Sequence, residues 1–209
     1  MTPFETLTAV AAPLMRPNID TDVIIPSREM KTVSKTGLKD GLFANWRYSD
    51  PAERRPDPRF VLNREAYQDA QILLAGDNFG CGSSREHAVW ALAEYGFRVV
   101  VAPSFGAIFE KNSVMNGLVP ARLDEAIVMQ LISALDSSPD KKLTVDLGRQ
   151  RITARGGIDV PFSINEGYRA MLLNGWDAVT LTLKHGSAIT EWKTEAQQRW
   201  PWINAVLKT

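Results

Sequence analysis

The stretch Asp77-Asn78-Phe79-Gly80-Cys81-Gly82-Ser83-Ser84-Arg85-Glu86-His87 constrains this chain more than any other. Ahead of it, Gln71-Ile-Leu-Leu-Ala75 is a short apolar run of the kind that forms a buried strand. Behind it, Ala88, Val89, Ala91, Leu92 and Tyr95 recur at helical spacing, and Gly96 is placed to cap that helix. A glycine-rich turn therefore joins the C-terminal end of a strand to the N-terminus of a helix. Glycines allow close backbone approach to a ligand, and the free N–H groups of a first helical turn favour an anion. Two hydroxyls and a guanidinium are delivered to the same place.

A purely structural reading stands beside this one. Ser83-x-x-Glu86 has the form of a capping box, in which Ser83 satisfies an orphan N–H. That accounts for Ser83 and Glu86, but not for Ser84-Arg85 after Gly-Cys-Gly. Two phosphate motifs are excluded. A P-loop needs Lys-Ser/Thr after its last glycine, where Ser83-Ser84 stand. A dinucleotide fingerprint starting at Gly80-x-Gly82 needs Gly or Ala where Arg85 stands. The expected anion is a small carboxylate.

The 24 basic and 24 acidic residues cancel, so no strong field recruits nucleic acid or an anionic membrane. No apolar run reaches the roughly 18 residues of a membrane span, and the start, with Pro3, Glu5 and Pro13, lacks the features of a signal peptide. Cys81 is the only cysteine, and with His87 and His185 it makes a poor zinc or iron–sulfur set. These features predict a cytoplasmic chain holding no metal.

At 209 residues the chain is long enough for one domain with a real core. A first strand is expected over 4–12, closed by Pro13. Asn18-Ile-Asp-Thr-Asp22-Val-Ile-Ile-Pro26 reads as a polar turn running into a short strand; its aspartates serve either as turn formers or as site carboxylates. The polar segment 27–41 carries Arg28, Lys31, Lys35 and Lys39 and reads as a loop, basic enough to meet an acidic ligand or simply solvated. Residues 49–59 read as irregular. Strands are expected at 71–75, 97–102 and 118–123, with helices between them and at 124–135. Strand–helix alternation of this kind implies a parallel core with ligands at the strands' carboxyl ends. Period-two alternation at 142–147, 151–154 and 158–164 predicts antiparallel strands. Helices are expected at 165–173, 176–185 and 188–207. Trp176, Trp192, Trp200 and Trp202 sit in this tail as packing residues for a core or a partner.

With these residues in view, a family resemblance emerges. Asn18-Ile-Asp-Thr-Asp-Val-Ile-Ile-Pro26, Gly80-Cys-Gly-Ser-Ser-Arg-Glu-His87, and Ser104-Phe105 through Asn116-Gly-Leu118 resemble the small subunits of 3-isopropylmalate dehydratase, the detached swivelling domain of the aconitase superfamily. The likeness runs from about Phe4 to Leu183 in the same motif order. It implies an α/β fold of the swivelling β/β/α type: a mainly parallel core sheet, additional antiparallel strands and a helical C-terminal tail. Residues 1–209 would be a single domain, with its core at about 4–183 and an extension at about 188–209.

The resemblance also implies a separate large subunit carrying a 4Fe–4S cluster, no cofactor in this chain, and an active site between the two polypeptides. The implied reaction converts 2-isopropylmalate to 3-isopropylmalate through isopropylmaleate, in leucine biosynthesis. Ser83 would be the catalytic base, Asp22 an acidic residue near the site, and Ser84 and Arg85 substrate contacts. Arg28 and Lys35, in the basic loop that meets the substrate's side group, would be further substrate-binding residues. Two departures stand out. Ser34-Lys35-Thr36-Gly37 replaces the family pattern Thr-Arg-Thr-Gly, and Ser104-Phe-Gly-Ala107 replaces Ser-Phe-Ala-Asp. Lysine lacks the bidentate fork of arginine. A sibling hydro-lyase acting on 2-methylmalate or citraconate is therefore the alternative.

Overall fold

Two kinds of strand sequence build one sheet. The computed structural model describes residues 1–30, 34–82 and 85–202. Its strands are β1 (Thr6–Leu14), β2 (Tyr48–Asp50), β3 (Arg55–Pro56), β4 (Ile72–Ala75), β5 (Val99–Ala102), β6 (Val119–Arg122), β7 (Lys142–Asp146), β8 (Arg151–Ala154) and β9 (Ile158–Pro161). Its α-helices are α1 (Thr21–Ile24), α2 (Ala44–Arg47), α3 (Glu86–Tyr95), α4 (Ala107–Met115), α5 (Glu125–Asp136), α6 (Glu166–Asn174), α7 (Ala178–Leu183) and α8 (Gly186–Arg199). Seven strands form one sheet in the order β6-β5-β4-β1-β7-β8-β9, and β2 and β3 form a separate hairpin. The pairs β1–β4, β4–β5 and β5–β6 are parallel, whereas β1–β7, β7–β8 and β8–β9 are antiparallel. The α/β class, with parallel core, antiparallel additions and C-terminal helices, is the one expected.

Every residue of β4 and β5 is buried. Leu73 and Val100 join a cluster with Ala88, Ala91 and Leu92 of α3, while Ile72, Leu74, Val99 and Val101 join another with Val128, Leu131 and Leu135 of α5. Successive side chains leave opposite faces of a strand. Helices on both faces thus explain two continuous apolar runs. On β7 only Leu143 and Val145 are buried, so one face is packed and the other is open.

Three local expectations give way. Pro13 lies inside β1, opposite Leu74, and does not close the strand. Ala11 donates its N–H to Lys141 O at 2.9 Å on the β7 side. Residue 13 points the same way, past the end of β7, so the missing proline N–H forfeits no ladder bond. Thr21–Ile24, read as the approach to a strand, is helical: Asp20 accepts the Val23 N–H at 2.7 Å, and this cap together with burial of Ile24 outweighs the β-branched preference. Segment 49–59, read as irregular, holds β3 and all of β2 but Tyr48, which pairs with Pro56.

Contacts divide the chain into Met1–Gly175 and Trp176–Thr209. The first unit contains the sheet. The second contains α7 and α8; α8 has no buried residue, and Trp192 and Trp202 are exposed. Residues 203–207, expected to end the last helix, lie outside the described residues. None of the helices among the described residues is long and apolar enough to cross a membrane.

Candidate active site

Three loops leave the carboxyl ends of β1, β4 and β5 and are stitched together by backbone hydrogen bonds. Asn18 donates its N–H to Asp77 O at 2.8 Å, Gly80 to Ile19 O at 2.7 Å, and Thr21 to Cys81 O at 3.1 Å. On the other side Phe79 donates to Ser104 O at 3.1 Å and Gly106 to Phe79 O at 2.9 Å. The turn from Asp77 to Gly82 is therefore the central rung of a three-loop ladder. Side chains add to it: Ser104 Oγ donates to Asp77 Oδ1 at 2.5 Å, and Asn78 Nδ2 donates to Asn18 Oδ1 at 2.8 Å. Gly80 holds a φ of +73°, and a Cβ there would lie 2.2 Å from Phe109 Cγ, so the position needs glycine twice over.

The turn delivers Arg85 as the N-cap of α3. Its guanidinium bonds the Asp22 carboxylate and also donates to Ser27 Oγ at 2.8 Å, and Ser27 Oγ donates to Asp22 Oδ1 at 3.2 Å. Arg85 is three-quarters buried, while half of the Asp22 side chain is open. Beside them is a cavity of about 150 Å³ lined by Thr21, Gly80, Cys81, Gly82, Arg85 and Gly106 among others. A larger groove of about 710 Å³, with Arg16, Trp46 and Arg59 on its walls, carries none of the residues expected to do chemistry.

The expected site residues fall into three groups. Asp22 and Arg85 meet directly. Ser83 and Ser84 lie outside the described residues. Arg28 and Lys35 have other partners: Arg28 donates to Asn45 Oδ1 at 2.6 Å and pairs with Glu29 at 3.4 Å, and Lys35 Nζ donates to Asn116 Oδ1 at 3.0 Å. Lys31, also in the basic loop, lies outside the described residues with residues 32 and 33.

Helix α3 does not begin where the capping-box spacing predicts. Helix α3 starts at Glu86 with Arg85 as N-cap and no side-chain cap bond, so Glu86 occupies the first helical position and not the third. The Glu86 carboxylate accepts instead from Asn116 Nδ2 at 2.9 Å and Trp90 Nε1 at 3.3 Å. Burial, assisted by the Asp20 carboxylate, pushes the Cys81 thiol up, which favours the inert packing residue over a reactive thiolate. The His87 ring packs against Trp90, 4.8 Å between centroids.

Two contributors escape sequence reasoning. Ser27 bridges Arg85 and Asp22; its place directly after the Asn18–Pro26 motif is the one available signal. Glu94 accepts three backbone N–H groups from Gly37, Leu38 and Lys39. In sequence it is an ordinary helical charge, and no pattern marks it.

Among the described residues no three His, Cys, Asp or Glu side chains are grouped to hold a metal ion. A single cysteine also cannot furnish the thiolates an iron–sulfur cluster takes. The donor set of this chain does not fit such a cluster.

Comparison with known proteins places this geometry. Residues 1–126 match the family model described as the aconitase C-terminal domain. The 3-isopropylmalate dehydratase small subunit of Cupriavidus necator is 52% identical over 98% of this chain and 99% of its own length. That of Rhodospirillum centenum is 49% identical over 97% and 98%. The crystal structure of 3-isopropylmalate dehydratase from Methanocaldococcus jannaschii superposes with a TM-score of 0.63 at 26% identity, covering 90% of this chain and 99% of that one. The ladder of loops around Gly80 and the Arg85–Asp22 pair thus sit in a chain that belongs to the 3-isopropylmalate dehydratase small-subunit family of the aconitase superfamily.

Proposed function

We propose that this chain pairs with a separate large subunit and isomerises 2-isopropylmalate to 3-isopropylmalate by dehydration and rehydration, a step of leucine biosynthesis in the cytoplasm. The observation that carries the reading is the rigidly held turn that brings Arg85 and Asp22 together at the carboxyl ends of the parallel strands. Arg85 grips one substrate carboxylate with its planar fork, exchanging its contact with Asp22 for the ligand. Ser84 donates a hydrogen bond to the substrate, and Arg28 and Lys35 supply positive charge toward the second carboxylate.

Ser83, two residues before the N-cap of α3, is the base. It removes the proton from the carbon next to the carbinol carbon as hydroxide departs, and isopropylmaleate results. Hydroxide then adds in the opposite sense while Ser83 returns its proton to the other carbon, which gives the 3-isomer and restores the alkoxide. A serine hydroxyl is a weak acid, so this role needs a stabilised alkoxide; the N–H groups opening α3 and the Arg85 charge act in that direction. No residue of this chain would hold a 4Fe–4S cluster; one bound by the large subunit would supply the Lewis acid that weakens the bond to the hydroxyl. Replacing Ser83 by Ala is expected to abolish turnover in the two-chain complex while the subunits still co-purify. An active Ser83→Ala complex refutes the base assignment.

The sibling reaction on 2-methylmalate or citraconate keeps one point in its favour, Lys35 where the family pattern has arginine. Competing the two substrates on the complex decides between them.

A further inference from the structure

Three side chains one turn apart on α3, Glu86, Trp90 and Glu94, form a track on a single face of the helix. The segment from Lys35 to Lys39 is laid along that track. At one end Lys35 Nζ donates to Asn116 Oδ1 at 3.0 Å and lies 5.4 Å from the centre of the Trp90 ring. Asn116 is itself fixed, accepting from Trp90 Nε1 at 3.1 Å and donating to Glu86 at 2.9 Å. At the other end the Glu94 carboxylate accepts the N–H groups of Gly37 at 2.7 Å, Leu38 at 2.5 Å and Lys39 at 2.9 Å.

Three successive N–H groups turned toward one point make an anion nest. Gly37, with a φ of +88° and open space where a Cβ would stand, supplies the backbone bend that forms it. Burial alone would raise the Glu94 carboxyl, but the three N–H donors together with Lys39 outweigh it and hold it below the usual carboxylate range. Glu94 is also remote from the chemistry: eight residues along a helix put it about 12 Å from Glu86. Among the described residues, the hydrogen bonds of its carboxylate go to the Gly37–Lys39 backbone and to no group expected to do chemistry.

We infer that Glu94 is a positioning residue, whose carboxylate fills the nest at Gly37–Lys39 and so fixes the Lys35 segment beside the helix end that presents Arg85. The kinetic consequence rests on the function proposed above; the anchoring does not.

Amide hydrogen exchange on the full chain tests the anchoring. In Glu94→Gln, which puts an NH₂ group against donors, protection at Gly37, Leu38 and Lys39 is expected to fall at least about tenfold, with β4 and β5 amides unchanged. Glu94→Ala should behave alike. Unchanged protection at those three amides in both variants overturns the inference.

In the complex with the large subunit, Glu94→Gln is expected to raise KM for 2-isopropylmalate about fivefold or more with kcat within about twofold, and Glu94→Asp to recover part of the loss. A fall in kcat with KM unmoved also overturns it. Should the wild-type complex fail to turn over this substrate, the proposed reaction falls, and the exchange result still decides whether Glu94 is the anchor.

Discussion

The two halves of the seven-stranded sheet solve different problems. In the parallel half, β4 and β5 are buried on both faces, and the loops after β1, β4 and β5 are sewn to one another. In the antiparallel half, β7, β8 and β9 alternate, with one face packed and the other carrying Thr144, Thr153 and the Arg151–Asp159 pair. Tight hairpins there leave no long loops at a common edge. The difference teaches where a site can be built: rigid loops need a double-sided core beneath them, and only the parallel half has one.

Substitutions that test the contrast should separate the halves. Leu73→Ala, at a position with no exposure, is expected to cost about 2–5 kcal/mol by transfer loss plus cavity, whereas Lys142→Ala on the open face of β7 should stay within about 0.5 kcal/mol. Chemical denaturation of the two variants gives the comparison directly. Equal costs would mean that the open face of the antiparallel half matters to stability no less than the buried parallel core.

The same residue type can be compared across the two halves. Gly80→Ala adds a left-handed penalty of about 1–2 kcal/mol to an overpacking cost of about 1–3 kcal/mol against Phe109. Gly156→Ala, at a φ of +89° with nothing within 4 Å, faces the conformational penalty alone, about 1–2 kcal/mol. Activity of the complex should fall with the first and persist with the second.

A pH series sharpens the contrast further. The Glu94 carboxyl is depressed in the fold, so the stability it contributes is present above its ordinary value of 4.5 and is lost as pH falls through the folded value. Glu94→Gln should therefore flatten the acid limb of the stability curve. The smallest effect belongs to the exposed Arg151–Asp159 pair, whose removal by Arg151→Ala should leave the melting temperature at neutral pH nearly unmoved.

Much of this architecture is legible where local preference and burial agree. The apolar runs at 71–75 and 97–102, the helix stopped by Gly96, and the alternation from 142 onward all appear where expected, because periodicity records which faces meet the core. Reading fails where a distant contact decides the outcome. Val23-Ile24 has strand composition but is wound by the Asp20 cap. Ser83-x-x-Glu86 has the spacing of a cap, yet the helix begins at Glu86, whose carboxylate turns to Asn116, thirty residues on. The Glu94 nest joins groups 55 to 57 residues apart, and a helical glutamate bears no local mark of such a partner. Of the candidate site, the motif and its guanidinium are readable; the Ser27 bridge and the docking of Lys35 on Asn116 are matters of tertiary geometry.

The central claim is that this chain supplies half of a dehydratase site. It is tested most directly by assaying isopropylmaleate formation from 2-isopropylmalate with the purified chain alone, with the cluster-loaded large subunit alone, and with both. The account predicts turnover only in the third sample. Turnover by this chain alone, or none in the mixture although the two chains associate, would contradict it.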